Sequence, residues 1–190
     1  KNSYNYSEIK AEEIHCYAKS QISVLPMNDS VKLLVTQSVT QLITMQETLC
    51  AIRKEMDNIS SQLPEYDTVM SIFGAGKVLG AQLMAEIGDT RRFRNRKCIT
   101  AYAGLDAPPY QSGTVNIQSR SISKKGSSAL RKTLFQIMTI YIQNQPITEP
   151  VYNFLDKKRS EGKPYKVYMM AAANKFLRIY YAKVNKVLCS

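Results

Sequence analysis

The residues best suited to chemistry lie between Leu105 and Lys132, LDAPPYQSGTVNIQSRSISKKGSSALRK, which concentrates serine hydroxyls and Lys/Arg side chains around a single acid, Asp106. A hydroxyl beside guanidinium and ammonium groups can attack a phosphodiester while the cations stabilise the charge that builds in the transition state. Ser112 is the best-placed candidate, because the following Gly113 permits a turn that exposes the side chain. Ser127 and Ser128 read as helix caps instead. The plainer alternative is a solvated turn with no chemistry, and the segment alone does not decide between the two.

Other chemistries find no support. A Ser-His-Asp hydrolase needs a nearby base, yet the one histidine, His15, lies in a distant polar stretch. Gly74-Ala75-Gly76-Lys77 lacks the spacing of a nucleotide-binding P-loop, and Val78 stands where the hydroxyl is needed. A metal nuclease needs clustered carboxylates, and residues 90–148 contain Asp106 alone. The four cysteines, Cys16, Cys50, Cys98 and Cys189, form no CxxC pair, which argues against zinc and for a reducing, cytoplasmic setting. No apolar run is long enough to span a membrane.

Charge is unevenly placed along the 190 residues, whose net charge is +11. Residues 1–89 hold seven basic and eleven acidic side chains, residues 90–148 ten basic and one acidic, and residues 149–190 nine basic and three acidic. A positive field confined to the carboxy-terminal hundred residues attracts polyanions, nucleic acid first among them. Arg91, Arg92, Arg94, Arg96 and Lys97 are read as a phosphate-facing cluster with no carboxylate close in sequence, and Arg120, Lys124, Lys125 and Arg131 as further contacts. Arg131 and Lys132 fall in the first turns of a helix, where the macrodipole favours an anion.

The elements that must position these groups are mainly helical. From Val31 to Leu63, the positions Val31, Val35, Ser38, Leu42, Met45, Leu49, Ile52, Met56, Ile59 and Leu63 alternate steps of four and three, the pattern of a coiled-coil seam. Asn28 or Asp29 is expected to cap this helix and Pro64 to close it. Before it, a weakly patterned helix is expected from Ser7 to about Ser23. Residues 66–89 read as a short apolar helix, Val69 to Phe73, then a Gly-Ala-Gly turn and a second helix ending at Gly88. This resembles a helix-hairpin-helix, in which Gly74, Gly76 and Lys77 present backbone N–H groups and charge to a phosphate.

A helix ending near Gly104 is capped by Asn95 or Thr90, and a serine-bearing loop over residues 105–126 forms a short β-hairpin or turn around Ser112. Three helices complete the chain: one from Ser127 or Ser128, one from about Thr148 to Glu161, and one from about Tyr165 to Val187. The expected fold is therefore a long coiled-coil helix followed by a compact helical domain. A helical segment over residues 1–63, with its coiled coil at 31–63, would precede a domain over 64–190. Since the chain begins at Lys1 and not Met, it is expected to be a piece of a longer polypeptide.

The ordered series of hairpin SIFGAGKVLGAQLMAEIGD, then AYAGL, then QSG, then SKKGSSALRK resembles the carboxy-terminal transposase domain of the insertion-sequence 110/116/902 family, from roughly Pro64 to Lys186. The resemblance implies a DNA recombinase in which Ser112 forms the covalent link to DNA. It also implies an amino-terminal ribonuclease-H-like domain with four metal-binding acids, a coiled coil joining the two domains, a guide RNA and a homo-oligomer. The full-length enzyme would use a divalent metal, expected to be Mg, at those acids, and this chain would hold no cofactor and be inactive by itself. The alternative reading is a non-catalytic helix-hairpin-helix module that binds DNA or RNA, with Ser112 a turn residue. A purely structural scaffold ranks last, because it leaves the basic segment without a purpose.

Overall fold

The structure is a computed structural model describing residues 8–21, 28–107, 110–112, 115–117 and 121–189. Two compact units divide it, residues 1–49 and residues 50–190.

In the first unit, α1 (Glu8–Ser20) has no buried residue. α2 (Asp29–Ser60) starts where Asn28 Oδ1 accepts from the Val31 N–H at 2.9 Å, the cap expected from sequence. It ends at Ser60, short of Pro64, in a turn closed by the Leu63 N–H on the Ser60 carbonyl. The expected coiled coil does not stand. Seam residues such as Leu42 and Leu49 are exposed, and so are Leu33, Leu34, Val39 and Ile43, which lie off the seam. Apolar side chains thus spread around the helix instead of forming one stripe, and Ser60 is its one buried residue. The four-three register coexists with off-seam apolar residues and with Ser38, Thr40, Thr44 and Thr48, whose hydroxyls donate back to carbonyls four residues earlier. The fold class inferred from sequence, a long coiled-coil helix leading a helical domain, is corrected accordingly.

The second unit is organised by α8 (Tyr165–Leu188), against which α3 (Tyr66–Met70), the 3-10 turn Thr90–Arg92, α5 (Arg96–Tyr102), α6 (Ser128–Asn144) and α7 (Pro150–Ser160) all pack. Its buried residues Met169, Ala172, Ala173, Phe176, Leu177, Tyr180 and Val184 recur at three- and four-residue steps. The paired alanines let neighbouring helices approach closely. α4 (Lys77–Ile87) lies on α6, whose buried face of Leu130, Leu134, Ile137, Met138 and Tyr141 is the one its periodicity announces. Burying such a face at roughly 25 cal/mol per Å² of apolar surface outweighs any preference of the isolated segments.

Between α5 and α6, β1 (Tyr110–Ser112) pairs antiparallel with β2 (Val115–Ile117), with Ser112 opposite Val115. No helix among the described residues is long and apolar enough to cross a membrane.

Candidate nucleic-acid interface

The hairpin of α3 and α4 turns through Gly74, whose φ of +81° lies in the left-handed region. A Cβ there would meet Ile137 Cγ2 at 3.0 Å and Tyr141 Cε2 at 3.4 Å, so Gly74 is also a packing residue against α6. The first helix spans Tyr66–Met70, starting and ending three residues before the expected Val69–Phe73. Gly76 is the N-cap of α4, with no side-chain cap, and a Cβ added to it would meet nothing within 4 Å. The backbone amides at the start of α4 are therefore open to approach. Lys77 is not unopposed there: its ammonium lies 3.6 Å from Asp57 Oδ2, while Tyr66 Oη donates to Asp57 Oδ1 at 2.7 Å.

The arginine cluster divides into two kinds. Asp89 caps the 3-10 turn by accepting from the Arg91 N–H at 2.8 Å, and it also binds the Arg91 guanidinium, Nη2 to Oδ2 at 2.8 Å. This corrects the reading that no carboxylate was near. The Arg91 hydrogen bonds hold the Asp89 carboxyl below its ordinary value. The Arg92 guanidinium carbon lies 4.7 Å from the centroid of the Phe93 ring and 4.6 Å from that of Tyr102. Arg94, Arg96 and Lys97 are exposed, and the helix carrying the last two is capped by Asn95 Oδ1, which accepts from the Lys97 and Cys98 N–H groups.

The segment after the strands folds back on the end of α5. The Ser123 N–H donates to the Asp106 carbonyl at 2.7 Å and its hydroxyl to Asp106 Oδ1 at 2.6 Å, so the acid of the basic stretch is occupied. Lys124 adopts a φ of 56° and donates its N–H to the Gly104 carbonyl. Gly126 passes so close to the Tyr102 carbonyl that no Cβ fits. Arg131 turns inward, its Nη1 donating to the carbonyls of Ala103 at 3.0 Å and Gly126 at 2.9 Å. At the start of α6, Ser127 Oγ caps the Leu130 N–H and donates to Glu86 Oε2. The anion that the dipole of α6 favours is thus a carboxylate from α4. The Ser112 hydroxyl and Arg120 lie outside the described residues.

What the fold brings together is a cationic surface across α5, α6 and α8. One groove of about 670 Å³ is bordered by Lys124, Arg131, Lys132 and Lys166, and it shares Asn174 with a second of about 660 Å³ bordered by Arg96, Lys175, Arg178 and Lys183. Asn174 Oδ1 accepts from Thr100 Oγ1 at 3.4 Å. Lys97 and Asp106 edge the adjoining depression, and Lys125 is exposed nearby. Sequence reasoning missed the contribution of α8. A signal existed, since Lys166, Asn174 and Arg178 stand at multiples of four along one helix. All four cysteines are free and exposed, and no group of three or more His, Cys, Asp or Glu among the described residues could hold a metal ion.

Comparison with known proteins matches part of the chain to one class of protein. Residues 66–153 match the profile described as Transposase IS116/IS110/IS902 family. A Sinorhizobium fredii protein named "Putative transposase y4rJ" is 34% identical over 119 residues, covering 62% of this chain and 30% of that protein. The "Insertion element IS900 uncharacterized 42 kDa protein" of Mycobacterium paratuberculosis is 22% identical over 169 residues, covering 88% of this chain and 41% of that protein. The chain spans less than half the length of either relative. Over residues 66–153, from α3 through α6 and into the start of α7, the chain is matched at the level of the family to IS116/IS110/IS902 transposases.

Proposed function

We propose that residues 64–190 form the DNA-binding transposase domain of a longer recombinase, with Ser112 as the nucleophile of strand cleavage and rejoining. The observation that carries the reading is the cation-lined surface of α5, α6 and α8, lying partly within a segment that matches a transposase family. In the proposed step the Ser112 oxygen forms a new bond to phosphorus as one ester oxygen of the strand leaves. The leaving oxygen departs as a hydroxyl, taking up the proton the serine gives up, so one phosphodiester replaces another. Positive charge from Arg94, Arg96, Lys97, Lys124 and Lys125 would hold the strand and offset the charge of the transition state. Self-association, a guide RNA and a Mg-holding domain outside this chain belong to the same reading.

The test uses the full-length protein with guide RNA and a nicked DNA substrate that traps the intermediate. A covalent protein–DNA adduct is expected on a denaturing gel, and Ser112→Ala should abolish it. An adduct that persists in Ser112→Ala sinks the nucleophile assignment.

A second reading is a non-catalytic nucleic-acid-binding module. It is favoured by the internal commitments of Lys77, Arg91 and Arg131, which make part of the expected phosphate contacts structural. It is distinguished by salt-dependent binding with no adduct under any substrate design.

A further inference from the structure

Three lysines border one groove from three places in the chain: Lys124 from the loop before α6, Lys132 from α6 and Lys166 from α8. No carboxylate among the described residues pairs with any of them. Between them the floor is apolar, built by Leu105, Ile122, Phe135, Val167 and Met170. Val167 remains 52% exposed, and its neighbour Tyr165, 47% exposed, meets the Phe135 ring edge-on at a centroid distance of 6.1 Å. Asn174 adds a side-chain amide to the wall.

This combination does not suit a duplex backbone alone. Phosphates and sugars are polar, and paired bases are stacked out of reach, so an apolar floor beneath them would gain nothing. An unpaired strand fits both halves of the groove. Its bases have apolar faces that bury against aliphatic and aromatic side chains, and its phosphates are spaced to meet surrounding cations. The amide can pair with a base edge, and the volume lies in the range of pockets that enclose small ligands.

We propose that this groove holds unpaired DNA, with a base seated on the Phe135–Val167–Met170 floor and flanking phosphates held by Lys124, Lys132 and Lys166. The proposal rests on the DNA-binding reading above and deepens it by naming the state of the strand.

The test is fluorescence anisotropy of the 190-residue chain with a short labelled oligothymidine, an abasic deoxyribose-phosphate strand of equal length, and a duplex of equal length. One stacked base corresponds to roughly 5- to 150-fold in affinity, so the base-bearing strand should bind at least about fivefold tighter than the abasic one. Val167→Ser, at an exposed position, and Phe135→Leu, which keeps an apolar filler, should each bring that ratio toward one while circular dichroism stays unchanged. Equal binding of base-bearing and abasic strands, or duplex binding as tight as single-strand binding, overturns the proposal and leaves DNA binding standing. Absence of binding to any of the three overturns both. In a fourth arm with a labelled oligouridine RNA of the same length, tighter binding than to oligothymidine overturns the assignment of the strand as DNA.

Discussion

Ser127 Oγ donates to Glu86 Oε2 at 3.1 Å, joining the start of α6 to α4 across 41 positions of sequence. The same hydroxyl accepts from the Leu130 N–H, so a single side chain caps one helix and docks it on another. Glu86→Ala removes the acceptor and the carboxylate that the fold places at that helix start. It is expected to lower stability by about 0.5–2 kcal/mol, read from the urea midpoint at unchanged slope. Glu86→Gln, which keeps an acceptor and loses the charge, should lose less.

Gly126 is held against the Tyr102 carbonyl, and Gly104, at a φ of 64°, faces it. Ala at 126 would place its Cβ inside backbone atoms that have no flexible end to move aside. Gly126→Ala should therefore cost at least about 1–3 kcal/mol, the range for overpacking, in thermal or denaturant unfolding. Gly76→Ala, where a Cβ meets nothing within 4 Å, should leave stability within about 1 kcal/mol and serves as the control.

The Tyr141 hydroxyl is buried and has no hydrogen-bond partner. Burial, with a smaller contribution from Glu149, pushes its phenol above the ordinary value. A raised folded value means that its contribution is complete below the unfolded phenol value, about 10, and is lost as pH rises beyond it. Tyr141→Phe should be neutral or stabilising by up to about 1 kcal/mol at pH 7. Its advantage over the native chain should widen above pH 10, measured by denaturant midpoints across that range.

Charge removal should separate binding cations from structural ones. Lys132→Ala and Lys166→Ala are each expected to reduce the slope of log K against log salt by about one on a DNA substrate, the signature of a lost phosphate contact. Arg131→Ala should instead lower stability by about 1–3 kcal/mol, because two carbonyls lose their donor. Arg91→Ala, losing an exposed pair with Asp89, should change stability by less than about 1 kcal/mol.

Much of this protein is determined by residue order alone. The apolar spacing of α6 and α8, the Asn28, Asn95 and Ser127 caps, and the glycine turn at 74 act over a few residues, and local geometry makes them readable. The concentration of positive charge after residue 90 is equally a property of composition. The register over 31–63 misled because steps of four and three record only where apolar residues occur, and Leu33, Leu34, Val39 and Ile43 occupy the other faces of the same helix. What the tertiary structure alone decided is which charges face outward. Arg131 and Lys132 are adjacent in sequence and border the same groove, yet the Arg131 guanidinium is committed to two carbonyls while Lys132 is exposed. Lys166, Asn174 and Arg178 join that surface because α8 packs beside α5 and α6. Hydrogen bonds and burial between distant segments set these outcomes, and such pairings have no period in the chain.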